Sequence, residues 1–484
     1  MGSRSRIARV ISTVAAIAAL CLAAGATAAA GKKKGGQPQG PKGVGWMQGF
    51  NEPGTPADLN RVGLLKFGRK SAKNVVVFVP GTSAGSAYLA PFASTLVKRL
   101  RDWQVWSVER RENLLEDQSF ADLAKRGQIS GQQYFDYYLG WLNNPNISPH
   151  LAPIPDSAVE FGKNWGLAVA VRDLQRVIRV AKRRGGRVVL MGHSLGGSII
   201  TAYATWDFGG KPGAKGLSAL VYNDGGSNPT PVTAEAAQQS LTNLYQASSS
   251  PWISFGGIPA PFAGVFAQGG GIGSISEPDI ASRGQASGLL PANLVPPVTV
   301  TNLAQFGYAA DTETSPPTLF AFQAHVGRLA AAGDPRGWEQ AGEITPIERY
   351  ARMFAGWNLE SVDGVAWYHP MRLTTDARAV GNGIANPAQD AIGLRTIHGR
   401  KLPKDLRIYA FGAAGGQSIL DEAFDLARQS RIPRKQLTLV NRQGTYAHND
   451  PAGAFPRNAF LKNLIGVLNR VAPDEKKAKR KKQR

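Results

Sequence analysis

The sequence predicts an α/β fold: a mostly parallel sheet with helices on both faces, interrupted by one large insertion. Three observations point there. Short apolar runs alternate with helical periodicities along the chain. The runs are continuous rather than alternating, as expected of strands buried on both faces. The connection between the fourth and fifth runs is 181 residues long, far beyond an ordinary loop.

The elements follow in order. Val75–Val79 (VVVFV) is bounded by Asn74 and Pro80 and reads as a buried strand. Tyr88 to Trp103 carries Leu89, Phe92, Leu96, Val97 and Leu100 at helical spacing. Gln104–Val108 is a second strand. Asn164 to Arg184 is a long amphipathic helix that Gly185 and Gly186 stop. Arg187–Met191 and Leu217–Tyr222 are the third and fourth strands. Leu406–Phe411 and Gln436–Val440 follow the insertion, and a last helix spans Asn458 to Val471. Within the insertion, Thr314 to Ala332 and Thr345 to Trp357 read as partly helical.

The 484 residues exceed one compact core. The formal charge of +22 is concentrated at the ends. Residues 1–42 hold seven basic and no acidic side chains, and residues 472–484 hold seven basic and two acidic. The body is therefore only moderately basic. The basic tail reads as a solvated run, or as a tether to an anionic cell wall or membrane surface. Nothing predicts a specific nucleic-acid partner.

Arg4, Arg6 and Arg9 precede the apolar stretch Val10 to Ala24, and small residues continue to Ala30. This pattern predicts a signal peptide cleaved near Ala28–Ala30, hence a secreted protein. No later stretch is long and apolar enough for a span, so the mature chain is expected to be soluble. The single cysteine, Cys21, lies in that signal, which leaves the mature chain without a disulfide or thiolate nucleophile. The expected organisation is a signal peptide at 1–30 and a basic linker at 31–45. A catalytic domain occupies 46–227 and 400–471, a cap insertion 228–399, and a disordered basic tail 472–484.

Gly192-His193-Ser194-Leu195-Gly196-Gly197 directly follows the third strand and precedes a helical stretch, Ser198–Tyr203. Strand, tight turn and helix is the context in which this motif lifts a serine hydroxyl clear of a sheet edge. Side chains at Gly192 or Gly196 would collide with neighbouring backbone. Ser194 is the candidate nucleophile, and a base must take its proton. The candidates are His150, His193, His325, His369, His398 and His448. The side chain of His193 should point away from its neighbour.

On these residues the chain resembles the α/β-hydrolase family over about 46–225 and 400–471. The resemblance implies a serine esterase or lipase-like hydrolase acting on a small-molecule or lipid-like ester, without a cofactor or metal. It implies His448 as the base, because His448 alone follows the last strand. It implies an oxyanion hole from the amide of Leu195 and one in the loop Pro80-Gly81-Thr82-Ser83-Ala84-Gly85, with Thr82 expected and Ser83 the alternative. That loop lacks the His-Gly start common in lipases. The acid departs further: the loop after the penultimate strand, Gly412 to Gln417, has no carboxylate. Asp224, after the fourth strand, is the expected acid, and Asp421 is the alternative. Asp421 also reads as part of a capping box opening a helix at Ser418. Asp450 reads as a helix N-cap with Pro451 at the first helical position.

Two further groups stay open. Glu109, Arg110, Arg111, Glu112, Glu116 and Asp117 read as surface ion pairs, or as the mouth of the site. Trp252, Phe255, Phe262 and Phe266 form an acyl or aromatic pocket, or a small core of the insertion. Acyltransferase, peptidase and non-catalytic surface-binding readings share the same fold.

Overall fold

The computed structural model describes residues 42–356 and 358–473. The expected signal peptide, the linker up to residue 41 and the tail from residue 474 lie outside them. Ten strands form among the described residues: β1 (Gly45–Gln48), β2 (Arg61–Phe67), β3 (Asn74–Val79), β4 (Trp103–Glu109), β5 (Val188–His193), β6 (Ala219–Asn223), β7 (Arg328–Gly333), β8 (Arg336–Glu339), β9 (Arg407–Gly412) and β10 (Leu437–Asn441). Eight make one sheet in the order β1-β2-β4-β3-β5-β6-β9-β10. β2 is antiparallel to β1 and β4, and all other neighbours are parallel. This is the expected mostly parallel α/β sheet.

The continuous apolar runs follow from two cores. In β3, Val75, Val77 and Val79 enter one core, while Val76 and Phe78 enter the other. In β5, Val188 and Leu190 alternate with Val189 and Met191 in the same way. Each face is buried, so neither parity can be polar. The amphipathic helix Leu167–Lys182 covers one face with Leu167, Val171, Leu174, Val177 and Ile178. The helices Ala90–Arg99 and Ala459–Val471 cover the other with Phe92, Leu96, Phe460 and Leu464.

All six expected strands form within two residues of their expected bounds. β1 and β2 were not expected. Gly45 opens β1 inside the stretch assigned to the linker, and Gly43 bridges to Glu360. β2 mixes an exposed Lys66 into an apolar run, and Lys66 lies over the Trp106 ring at 4.4 Å. Of Thr314 to Ala332, read as partly helical, only a short segment is helical. Pro316 and Pro317 confine it to a 3-10 stretch, Pro317–Phe322, and β7 pairs with β8 beyond it.

The long insertion between β6 and β9 builds no separate core. Val265, Phe306, Tyr350 and Trp367 join one core, while Leu373, Val380, Ala388 and Ile392 join the other, beside Ile199 and Ile200. It therefore caps the carboxyl edge and pads the second face. Among the described residues no helix is long and apolar enough to cross a membrane.

A buried ion pair fastens the first strands to the body. Arg111 Nη2 lies 2.7 Å from Asp173 Oδ1, and Arg111 also donates to Asn60 Oδ1 and Phe50 O. Removing one partner would strand the other charge out of water. Asp173→Ala should lower unfolding stability by about 3–5 kcal/mol in urea titration, and Arg111→Met with Asp173→Leu should recover most of it.

Candidate active site

The turn between β5 and the helix Leu195–Thr205 places Ser194 at φ 53° and ψ −127°, a conformation unusual for a residue with a side chain. Four strand ends and loops crowd it. A Cβ on Gly192 would lie 2.2 Å from Gly196 O, and one on Gly196 would lie 2.3 Å from Val79 O. A Cβ on Gly225 would lie 2.1 Å from Ser194 O. Only bare backbone lets these segments converge.

His448 and Ser194 line one cavity, with Thr82 also in its wall. His448 Nδ1 is 2.6 Å from Asp224 Oδ2. The other Asp224 oxygen accepts from the amides of Ala413 and Gly415 at 2.7 and 2.9 Å. A carboxylate only accepts, so Nδ1 carries the proton and Nε2 presents a lone pair. His448 Nε2 is buried and meets no partner among the described residues. Burial disfavours charge on Asp224, but the hydrogen bond and charge of His448 outweigh it, and the carboxyl stays below its ordinary value. Phe320, from the insertion, meets the His448 ring edge-on at 5.3 Å.

Asp421 lies apart from this group. It is exposed in the helix Gly416–Gln429 and accepts from Gln417 Nε2 at 2.8 Å. The capping box is absent, because that helix starts two residues before Ser418.

The loop after β3 is held from beneath. Arg110 Nη1 donates to Pro80 O and Gly81 O, and Nη2 to Ala84 O, each at 3.2 Å. Within a trans peptide, C=O and N–H point oppositely. The Gly81 carbonyl turned toward Arg110 therefore turns the Thr82 N–H away from Arg110. A Cβ on Gly81 would lie 2.8 Å from Ser194 Cβ, so this peptide abuts the turn. Ser83, the alternative donor, has its amide committed to His369 Nδ1 at 3.2 Å. The Leu195 N–H opens its helix and has no acceptor one turn back.

The acidic and basic cluster after β4 is not the set of surface ion pairs the sequence suggested. Glu109, Arg110, Arg111 and Glu112 are all buried. Glu109 accepts from Ser86 N at 2.9 Å, and burial pushes its carboxyl up to about 8. Glu116 accepts from Trp367 N, and Asp117 from Tyr137 Oη at 2.5 Å. β4 is central, so its carboxyl end lies under the insertion rather than in water.

Three histidines act as struts in places the sequence did not reveal. His193 does not point away: its Nε2 bonds His448 O at 3.1 Å, and its ring stacks on Tyr88. Burial, with the adjacent His448, pushes it down to about 3, so it is neutral. His369 is held well below its usual range by burial and then by Arg110, so its Nδ1 accepts while Nε2 meets Thr374 Oγ1. His325 Nδ1 lies 2.5 Å from Asp450, which also takes Thr345 Oγ1 and the Ala447 amide. Asp450 is fully buried and is the first residue of its helix, with Asn449 before it, so it is not the N-cap. It ties the His448 loop to the insertion. Among the described residues, no three His, Cys, Asp or Glu are grouped to hold a metal ion.

No model of a known protein family matches the chain, and no curated protein matches it in sequence. Among solved structures it is similar to a candidate lipase from Sulfolobus solfataricus, at 14% identity and a TM-score of 0.43, over 88% of this chain and 93% of that one. It is similar to a thermophilic esterase from Thermogutta terrifontis, at 12% and 0.36, over 88% and 98%. It is also similar to a monoglyceride lipase variant from Saccharomyces cerevisiae, at 11% and 0.37, over 90% and 98%. These likenesses concern layout; the chemistry is read from the side chains.

Two outcomes follow from this geometry. Arg110→Lys replaces the two nitrogens that reach Pro80, Gly81 and Ala84 with one ammonium, so, if the Thr82 amide receives a developing oxyanion, kcat should fall between about 10-fold and 10³-fold at nearly constant KM. An unchanged kcat would remove Arg110 from any role in orienting Thr82. The folded His193 refuses a proton that the unfolded chain accepts below about pH 6.5. Its contribution to stability is complete above that value and is lost as pH falls toward about 3. The stability difference between wild type and His193→Gln should therefore shrink from pH 7 to about pH 4, by about 1.4 kcal/mol per unit. Parallel urea curves at both pH values measure it.

Proposed function

We propose that this chain, which has the α/β-hydrolase fold, is a serine hydrolase that cleaves carboxylic esters through an acyl-enzyme. The observation that carries the proposal is the Asp224–His448 bond, which leaves a buried, uncommitted Nε2 on the cavity that Ser194 also lines. Ser194 Oγ attacks the ester carbonyl and His448 Nε2 takes its proton. His448 returns that proton to the leaving alkoxide, which departs as the alcohol. Water then loses a proton to His448 and hydrolyses the acyl-serine, regenerating the hydroxyl. Asp224 holds the imidazole in the required tautomer and balances its transient positive charge.

The amides of Thr82 and Leu195 would receive the oxyanion, acting where charge develops and water is excluded. Their support is directional: Arg110 turns the first, and the helix start frees the second. The signal-like first thirty residues support export as part of the same proposal.

Ser194→Ala should reduce kcat for a short-chain aryl ester by about 10⁶-fold with an unchanged melting transition. A fluorophosphonate probe should label the wild type at Ser194 and leave the variant unlabelled. Retention of most ester turnover by Ser194→Ala would overturn the assignment.

A further inference from the structure

A second hollow adjoins the Ser194 cavity. It is walled largely by apolar side chains and bare glycines. Phe255, Ala263, Ala267 and Phe322 line both hollows, so the two share that wall. All four residues belong to the insertion.

The shape of the hollow follows from one helix. Phe262–Ser276 reads FAGVFAQGGGIGSIS. Ala263, Ala267, Gly270 and Gly273 succeed one another at spacings of three and four, which puts them along one face. All four border the second hollow. The face begins at the Ser194 cavity with two alanines, carries Phe266 beside them and continues as glycine, with Phe306 packed on Gly270. A Cβ on Gly273 would meet nothing closer than 3.6 Å. At 1.5 Å per residue, Ala263 to Gly273 spans about 15 Å. An extended chain advances about 3.3–3.6 Å over three bonds, so that length holds about a dozen carbons.

The polar groups at the far end are largely spent. Arg283 is paired with Glu277 and donates to Gln132, and Asn302 bonds the Glu277 carbonyl and the Arg283 amide. Gln305 donates to Leu294 O, and its Oε1 is the single uncommitted buried acceptor of the lining. One neutral acceptor tolerates a hydroxyl but cannot hold an anionic tail. Arg283, with its charge already neutralised, does not call for one either.

We infer that this hollow takes the hydrocarbon chain of the substrate's acyl group, running from Ser194 along the small-residue face of Phe262–Ser276, with an optimum near ten to fourteen carbons. The inference rests on the proposed acyl-enzyme: the carbonyl carbon sits at Ser194, and the chain behind it needs an apolar exit. Burying each methylene favours binding about fourfold. Where that binding is realised in the transition state, kcat/KM rises with chain length until the groove is full.

The test is a kcat/KM series over p-nitrophenyl esters from acetate to palmitate with the full chain, together with fluorophosphonate labelling. The expected series rises several-fold per two carbons, turns over near dodecanoate and falls beyond. Gly273→Leu places a better helix former at a position with room for its Cβ. Its side chain leans back over the preceding turn. The optimum should therefore shorten by about four carbons, the length of one turn. A wild-type series that is flat or falls beyond butyrate, in a protein that hydrolyses acetate and is labelled at Ser194, would overturn the groove and leave the hydrolase standing. Absence of both turnover and labelling would overturn the two together.

Discussion

The Asp224 carboxylate is the point on which this site is hung. It leaves the end of β6, takes two amides from the loop after β9, and holds the imidazole that follows β10. Three strand ends therefore meet on one anion. A buried carboxylate is costly unless its oxygens are satisfied, and here the bonds come from two distant loops of the chain. The absence of an acid from Gly412 to Gln417 acquires a reason. That loop contributes N–H groups to the anion instead of contributing the anion.

The same economy governs the other loops. Arg110 satisfies three carbonyls of the turn after β3, and His369 accepts one of its amides. Asp450 joins the His448 loop to His325 and Thr345. Each strut is a polar side chain buried with its partners, where unpaired groups would cost far more than at the surface. The side chains that would react are the ones left without such partners. His448 Nε2 is buried without a partner among the described residues.

The insertion supplies much of this support, which explains why it lacks a core of its own. It closes the carboxyl edge, lies over the buried Glu109 to Glu112 cluster, and pads the sheet's second face with Leu373, Val380 and Ile392. Its glycine-rich helix serves two ends. Gly271 lets the helix approach the backbone of Ile347–Ala355, where a Cβ would lie 2.6 Å from Ala351 O. Gly270 admits the Phe306 ring, where a Cβ would lie 2.8 Å from it, and Gly273 borders the other hollow.

Sequence alone determined the elements whose signal is local. VVVFV and RVVLM are apolar at both parities, so they could only be strands buried on two faces, and the glycines around Ser194 could only serve a crowded turn. Ser194, Asp224 and His448 could each be placed at a strand end because each follows a recognisable strand, although Asp421 stayed open as the acid until the structure put Asp224 against His448. Other features depended on what distant segments cover. Arg61–Phe67 reads ambiguously until Trp106 lies under Lys66. Glu109, Arg110 and His369 look like solvated or incidental polar residues until the insertion folds over them. The inward turn of His193 depends on Tyr88 and on the His448 carbonyl. Periodicity and turn chemistry act over a few residues. Burial and the pairing of polar groups are set between residues up to 361 positions apart, as for Tyr88 and Asn449, and only the tertiary structure decides those.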